Sequence, residues 1–520
     1  MRIIRTDQVQ PTDLNRMESD WSYNGMDTLL TFELLDTLLP QLDNTTATTY
    51  AFSRALQAPV LEMKLRGVRV DQARRQEVID QFSDHLETLQ RNLDRIVLDG
   101  VGMPAFNWRS NDNLRELFYD RLQIPEIRKQ GRATTDADAL EKIEQYEIAK
   151  PIVAHLRALK EIGKKIGVLK TAVDPDGRIR TSYNIAGTNT GRFSSSFTEF
   201  GTGGNLQNVE ESLRSILIAD HGYKFAKFDA KSGESFCVGA IEWNLFNSGT
   251  YLDACESGDP HTAVARICWP KLPWTGDLKT DKDLAERPYY RHHTYRFMCK
   301  KLGHGSNYGG APQTLAQQSH LPINVVMFFQ PLYFKSFPAH QDWQEWVREQ
   351  IRVYGCLTSL MGRKRHFWGR RNEDATIREA IAFDPQSSLA DIVNQAMLKI
   401  WRKGLALLML QDHDALTFMY PEKDEDRIVP LLQQELTIPV PLANGRVLRI
   451  PYDAKVGFNR GDWNAETNPD GLKDYSGSDP RRRTPETPVM DRRVHLVHRK
   501  PPRAAAIPAL GRDLSPRRGA

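Results

Sequence analysis

LALLMLQDHDALTFMY, residues 405–420, consists of two apolar segments on either side of a polar turn, and this pattern predicts a β-hairpin. The residues at its tip are Asp412, His413 and Asp414. A second stretch, YKFAKFDA at 223–230, predicts a short strand that closes with Asp229. Two aspartates at strand ends can meet at one edge of a sheet, and phosphoryl transfer needs such a pair to hold two hard cations about 4 Å apart. Aspartates are also common in turns, so this pair alone is weak evidence.

A pair of cations lies between these two segments. Arg296 and Lys300 are four residues apart, which on a helix places both side chains on one face. In a cleft such a pair binds a triphosphate and neutralises a pyrophosphate leaving group, whereas on a surface it is a solvated charged face. His304, Tyr308 and several glycines follow, and they predict close backbone approach with a ring that stacks on a base.

Two further segments suit nucleic acid. TNTGRFSSS (188–196) and NLQN (205–208) offer Arg192 with many amides and hydroxyls, which suit phosphates and sugars. GRKRHFWGRR (362–371) is basic with interleaved aromatic residues, which suits a nucleic-acid backbone. Each is as easily a solvated loop when taken alone.

Bulk composition narrows the class of protein. The 520 residues predict three to four domains, and 40% hydrophobic with 26% charged residues is ordinary for a globular enzyme. With no apolar run long enough to span a bilayer and five scattered cysteines, we expect a cytoplasmic protein without disulfides or a zinc site. Residues 480–520 hold eleven Lys/Arg and three Asp/Glu, which gives this segment a net charge of +8. Because the whole chain has a net charge of +4, the rest of the chain has a net charge of −4. Local basic patches, rather than global charge, must therefore carry any contact with nucleic acid.

In order and spacing, these pieces resemble the family A DNA polymerases, from about Tyr23 to Trp463. FDAKSGE matches the first palm motif with Asp229 and Glu234, and the His413-Asp414 pair matches the last. RFMCKKLGHGSNYG (296–309) matches the fingers motif. TGRFSSS, NLQN, DPHTAVA (259–265) and a glutamine, Gln386, also fall where the family has counterparts.

The resemblance implies an α+β fold in the form of a polymerase right hand, with an antiparallel palm sheet, helical fingers and a helical thumb. It implies template-directed DNA synthesis from a primer, with primer–template DNA and deoxynucleoside triphosphates as partners and two Mg²⁺ ions held by Asp229 and Asp414. Lys300 is the implied proton donor to pyrophosphate. Residues implied to bind the nucleotide are Arg296, Lys300, His261, His304, Glu234 and Tyr308. Residues implied to contact DNA are Arg192, Asn205, Gln207, Asn208, Gln386 and His413.

Three positions depart from the family pattern. His304 stands where the family has Phe or Tyr, Ala415 where it often has Glu, and Ala230 where it has Tyr. Such variation is similar to that of virus-like members, so a role in phage or bacterial DNA replication is expected. Tyr23-x-x-x-Asp27 resembles the last motif of the family's 3′–5′ exonuclease, whose first motif is not seen. We therefore expect no intrinsic proofreading, with a separate exonuclease or a processivity factor as a further partner.

The predicted regions follow from the same resemblance: 1–49 a helical remnant of the exonuclease, 50–185 thumb and connecting region, 186–259 the first palm segment, 260–365 fingers, 366–463 the second palm segment, and 464–520 a basic Pro/Arg-rich disordered tail. The alternatives are a single-subunit RNA polymerase, a catalytically inactive primer–template binding protein, and a nuclease. TGRFSSS, NLQN and Glu234 favour DNA synthesis over the first, and Asp229, Asp414 and Lys300 argue against the second.

Overall fold

A helical region opens the chain in the computed structural model, which describes residues 16–476. Helix starts are fixed by side chains such as Asp71, whose carboxylate accepts from the backbone N of Arg74 at 3.0 Å and caps the long helix that follows. The helices are α1 (Arg16–Leu38), α2 (Asn44–Ala55), α3 (Gln57–Arg66), α4 (Gln72–Val101), α5 (Asn111–Arg115), α6 (Ala137–Ile143) and α7 (Lys150–Leu169), with a π-helical turn at Glu116–Arg121. The helices α4 and α7 pack together around a local core that includes Leu93, Val97, Leu156 and Leu159.

Short strands connect this region to the rest of the chain. In a three-stranded sheet, β1 (Val68–Val70) lies between β4 (Arg178–Ile179) and β7 (Leu217–Ile218). Two hairpin-like pairs are β2 (Arg128–Lys129) with β3 (Arg132–Ala133), and β5 (Ser182–Asn184) with β6 (Ser194–Ser196). The polar segment 188–196 therefore ends in a strand, and 206–208 forms a 3₁₀ turn.

The central sheet confirms the predicted hairpin and the predicted strand. Its strands, in spatial order, are β13 (Leu407–Asp412), β14 (Ala415–Pro421), β8 (Tyr223–Ala230), β17 (Tyr452–Gly457) and β18 (Lys473–Asp474), and all neighbouring pairs are antiparallel. Alternation along β8 sends Ala226, Phe228 and Ala230 into the main core. The opposite face carries Lys227 and Asp229, and both side chains are partly exposed.

Helices pack on the apolar face of this sheet. The helices α8 (Gly233–Phe246), α17 (Asp374–Lys403) and α18 (Glu425–Leu436) contribute to the same core, and α17 is buried along most of its length. Gly233 allows the close approach of two of them, because a Cβ there would lie 2.5 Å from Leu389. Two short strands, β15 (Val440–Pro441) and β16 (Val447–Leu448), pair with each other after α18.

A second helical region lies between the two palm segments. Its elements are α9 (Thr250–Glu256), α10 (Pro260–Cys268), α11 (Leu278–Ala285), β9 (Pro288–Tyr290), β10 (His293–Thr294), α12 (Tyr295–Phe297), a π-helical stretch Met298–Gly303, α13 (His304–Asn307), α14 (Pro312–Ser319), α15 (Ile323–Ser336), α16 (Ala339–Tyr354), β11 (Cys356–Thr358) and β12 (Lys364–His366). Residues 295–307 are thus one helical segment with a π-helical centre. The helix expected around Arg296 and Lys300 begins at Tyr295, because the preceding residues pair as β9 and β10.

The α+β architecture, with an antiparallel palm sheet and helical regions before and within it, is as predicted. The predicted tail boundary at 464 needs correction. Residues 464–476 fold onto the palm: β18 pairs with β17, and Leu472 is buried in a core cluster. The rest of the predicted tail, 477–520, lies outside the described residues, as do residues 1–15. Within 16–476, no helix is both long and apolar enough to cross a bilayer.

Candidate active site

Two aspartates meet at one edge of the palm sheet. In the register of β8 with β14, Asp229 lies opposite Ala415, and the backbone N of Ala230 donates to the carbonyl of Asp414 at 3.2 Å. The structure therefore brings Asp229 and Asp414 together. Burial, followed by repulsion from Asp229, raises the pKa of Asp414 above its ordinary value. A bound cation would relieve that repulsion.

Asp412, also at the hairpin tip, has a different environment. Its carboxylate accepts from the buried guanidinium of Arg460 at 2.5 Å, which anchors the end of β13. Its other oxygen, Oδ1, is buried without a hydrogen-bond partner among residues 16–476, so one oxygen of Asp412 is held by Arg460. Asp414 is the tip carboxylate that interacts with Asp229.

The turn between the two strands is held by a relay of amides. His413 adopts a left-handed backbone conformation with φ of 60°, and its carbonyl accepts from Gln411 Nε2 at 2.7 Å. The side chain of Gln411 in turn accepts from Gln207 Nε2 at 2.9 Å. Gln207, which was predicted to contact DNA, is only 7% exposed, and its side-chain amide donates this hydrogen bond to Gln411. The structure therefore places Gln207 as a support for the His413–Asp414 turn.

A third carboxylate on the same face was missed by sequence reasoning. Asp453 on β17 lies directly opposite Asp229 on the side away from β14, and its side chain is exposed. Paired residues of antiparallel strands share a face, so Asp453 adds negative charge beside Asp229. Lys227 lies on this face too, with its Nζ 3.6 Å from an Asp229 oxygen. No local motif marks Asp453, because only the register of β17 with β8 brings it there.

Glu234 connects the palm to the second helical region. It lies in the first turn of α8, five residues after Asp229, and accepts from Tyr308 Oη at 2.5 Å and from the guanidinium of Arg192. His304 Nε2 lies 3.7 Å from the same carboxylate. Burial and the neighbouring carboxylate raise the pKa of Tyr308 well above its ordinary value, so its hydroxyl remains a donor at neutral pH. Four residues predicted to bind nucleotide or DNA are thus in one cluster.

The predicted pair of cations, Arg296 and Lys300, lies on the helical segment 295–307, which also carries His304. Arg296 donates to Asp259 through Nε at 3.2 Å and Nη2 at 3.3 Å, while Lys300 is exposed and forms no ion pair with a described residue. The pKa of His261 is lowered to about 4, mainly by burial and further by the positive charges of Arg296 and Lys300. At neutral pH His261 is therefore uncharged, and the positive charge here comes from Arg296 and Lys300.

Other predicted site residues are distributed around this centre. Gly305, expected to let a ligand approach closely, instead packs on Leu315, to which a Cβ would come within 2.4 Å. Asn205 is exposed, and its Oδ1 accepts from Ser195 Oγ at 2.5 Å and from the backbone N of Asn208 at 3.2 Å. Gln386 is half-buried on α17.

The donor set at the sheet edge fits a hard divalent cation. Carboxylate oxygens are the ligands that Mg²⁺ prefers, and Asp229 and Asp414 are close enough for the charge of Asp229 to raise the pKa of Asp414. Among residues 16–476, no group of three or more His, Cys, Asp and Glu side chains forms a complete metal site. That is ordinary for Mg²⁺, which keeps several waters and takes substrate phosphates as ligands.

Comparison with known proteins agrees with this geometry. The model of DNA polymerase family A matches residues 74–238 and 286–464. The chain is 26% identical over 430 residues to the thermostable DNA polymerase I of Thermus caldophilus, covering 79% of this chain and 47% of the relative. It is also 26% identical over 405 residues to DNA polymerase I of Bacillus caldotenax, covering 74% of this chain and 44% of the relative. The chain thus spans about half the length of the curated relatives it matches.

A solved structure matches as well. The polymerase domain of Pol1 from M. smegmatis, in complex with a DNA primer-template and dNTP, superposes with a TM-score of 0.62 at 25% identity. The match covers 78% of this chain and 69% of that one. The family model covers both the segment that carries Asp229 and the segment that carries Asp414. The chain belongs to DNA polymerase family A.

Proposed function

We propose that this chain is a template-directed DNA polymerase that adds deoxynucleotides to the 3′ end of a primer. The observation that carries the proposal is the contact of Tyr308 and Arg192 with Glu234. Glu234 follows closely after Asp229, so this contact ties the fingers segment and the 188–196 loop to the carboxylate edge. A nucleotide held by the fingers would therefore lie next to Asp229 and Asp414.

The carboxylates would hold the metal ions of the reaction. Asp229 and Asp414 are the proposed ligands of two Mg²⁺ ions, which when bound stabilise the attacking and leaving oxygens of an in-line displacement. Asp412 is not proposed as a ligand, because one of its oxygens accepts from the buried guanidinium of Arg460. Asp453 strengthens the negative field on the same face and so favours cation binding at this edge.

The fingers residues would bind the triphosphate and assist departure of pyrophosphate. Lys300 has no carboxylate partner among the described residues, so its ammonium is free for a phosphate and is the proposed proton donor to the leaving group. Arg296 is held in place by Asp259 and supplies a second positive charge. His261, uncharged at neutral pH, acts as a hydrogen-bond donor.

The sugar and the DNA would be contacted from the other sides of the cluster. Glu234 is held by two donors, and we propose that it crowds the 2′ position of the incoming sugar, with His304 and Tyr308 beside it. The proposed contacts to primer, template or the nascent base pair are Arg192, Asn205, Asn208, Gln386 and His413. Gln207 is assigned instead to the support of the His413–Asp414 turn.

The solved relative supports the proposed partners, since that polymerase domain was seen with primer-template DNA and dNTP. We propose replication of phage or bacterial DNA in the cytoplasm as the setting, and a separate exonuclease or processivity factor as a further partner. The test of the reaction is primer extension by the purified protein with Mg²⁺, comparing deoxynucleotides with ribonucleotides. Extension with deoxynucleotides supports the proposal, and a preference for ribonucleotides would favour an RNA polymerase.

A further inference from the structure

An exposed aromatic pair lies at one end of the hairpin formed by β11 and β12. Cys356 pairs with His366, and the ladder continues with the backbone N of Phe367 donating to the carbonyl of Gly355 at 2.9 Å. One residue further on each side are Tyr354 and Trp368. Their side chains are 63% and 93% exposed. Single exposed apolar residues are common, so exposure alone would mean little.

The neighbouring side chains make this pair distinctive. Phe367 points into the core, whereas His366 and Trp368 both point outward with ring centroids 6.1 Å apart. Tyr354, His366 and Trp368 are thus exposed aromatic residues at one end of the hairpin, and we call them the aromatic platform. Exposed rings of this kind are able to stack on a ligand with flat faces.

Two arginines lie beside the platform. The side chain of Arg370 is exposed and makes no ion pair or hydrogen bond with any of residues 16–476. Arg371 donates to the carbonyls of Arg352 and Val353 at 3.2 and 3.1 Å, which fixes its charge at the end of α16 beside Tyr354. Glu373 and Asp374 are nearby in sequence and exposed, at the start of α17. Free guanidinium charge with aromatic rings is the combination that binds single strands, because bases stack while phosphates meet cations.

The hairpin is connected to the proposed active site. Arg363, just before β12, is paired with the buried carboxylate of Asp391 at 2.7 Å and lies against Gly191, where a Cβ would come within 2.6 Å of its Nε. The residue after Gly191 is Arg192, which reaches Glu234. The aromatic platform is therefore joined to the loop that enters the site through the three-residue strand β12 and Arg363.

We propose that the aromatic platform binds the unpaired template strand ahead of the primer end, with bases stacked on Trp368 and Tyr354 and phosphates held by Arg370 and Arg371. This inference rests on the proposed DNA polymerase function. A duplex hides its base faces, so within a primer–template only the template overhang has bases free to stack. An apolar protein partner fits less well, because it would bury the exposed charge of Arg370, which is unpaired within residues 16–476 and lies two residues from Trp368.

The test measures binding of labelled primer–templates that share one duplex and differ in overhang, with one unpaired template base or about ten. The native protein should bind the long overhang more tightly, and Trp368→Ala should lose about tenfold of that advantage, which is the order of one base–aromatic stacking contact. Trp368→Phe should keep most of it. Phe328→Ala, which removes another exposed aromatic side chain away from the hairpin, is the matched control and should bind as the native protein does.

A template whose overhang lacks bases but keeps its phosphates separates stacking from charge. It should weaken binding by the native protein more than Trp368→Ala does, because the stack on Tyr354 is lost as well, and it should cause no further loss in the double variant Trp368→Ala, Tyr354→Ala. Equal binding of native protein and Trp368→Ala to the long overhang, while the native protein extends primers, would overturn the platform alone. So would self-association that Trp368→Ala abolishes without changing overhang binding. Failure of the native protein to bind or extend any primer would instead overturn the proposed function.

Discussion

Replacing Glu234 by alanine should reduce discrimination between deoxynucleotides and ribonucleotides. The carboxylate is fixed between Tyr308, Arg192 and His304, so it cannot swing aside to admit a 2′-hydroxyl. Alanine removes the carboxylate and the methylene that carries it, which leaves room for the excluded hydroxyl.

The magnitude follows from that volume. A group of methylene size in a fitted pocket changes selectivity by about 1–3 kcal/mol, or roughly 10–200-fold. The substitution also leaves the Tyr308 hydroxyl without its acceptor, at about 1–3 kcal/mol of stability. That second cost falls on the protein whichever nucleotide is bound, so it cancels in the ratio of the two kcat/KM values.

The assay is single-nucleotide extension with matched deoxy- and ribonucleotides, reported as the ratio of kcat/KM. Glu234→Gln keeps the side-chain volume and should hold the ratio near the native value. Tyr308→Phe removes the donor at 2.5 Å but leaves Glu234 held by Arg192, so its effect should be intermediate. An unchanged ratio for Glu234→Ala would refute a steric role for this residue.

Three further outcomes are expected. Burial raises the pKa of Asp384 from 3.8 to about 6, so the fold loses stability as the pH rises from about 4 to about 6, and the loss is complete above that range. Asp384→Asn should therefore raise the free energy of unfolding by up to about 3 kcal/mol near pH 8 and by little near pH 4, and equal shifts in urea titrations at both pH values would contradict this. The pure protein should not shorten a labelled, mismatched 3′ end in Mg²⁺ without nucleotides, because Tyr23 and Asp27 on α1 are the only residues that resemble an exonuclease motif in the sequence, and a two-metal exonuclease needs several carboxylates. Shortening abolished by Asp27→Ala would reveal an exonuclease site. Deleting residues 477–520, which hold eleven Lys/Arg, should leave Tm unchanged but should weaken DNA binding at low salt, because fewer counterions are released on binding. A large fall in Tm would show that this segment has a structural role.

Local patterns in the sequence were sufficient for the elements that hold the carboxylates. The alternation of YKFAKFDA and the polar turn in 405–420 are properties of a few neighbouring residues, and the structure forms β8 and the β13–β14 hairpin at those places. The i, i+4 spacing of Arg296 and Lys300 likewise needs only a helix. Such features are predictable because backbone geometry alone sets them.

Features that depend on register or burial were not predictable in this way. The position of Asp453 beside Asp229 follows from the pairing of β17 with β8, which no short motif encodes. Gln207 looked available for DNA, but its partner Gln411 is two hundred and four residues away in sequence. The polar composition after Trp463 predicted a tail, although 464–476 closes the edge of the sheet with mostly backbone bonds. Backbone pairing of this kind leaves little trace in side-chain composition.

The central claim is that Asp229 and Asp414 act together at the sheet edge as the metal-binding pair of a DNA polymerase. Its most direct test is primer extension by Asp229→Asn and Asp414→Asn, run beside primer–template binding by the same preparations. Each asparagine keeps the side-chain shape but removes the charge that holds the ions, so extension should fall by at least about 10³-fold while DNA affinity stays within about threefold of native. Extension near the native rate by either variant would contradict the claim for that residue.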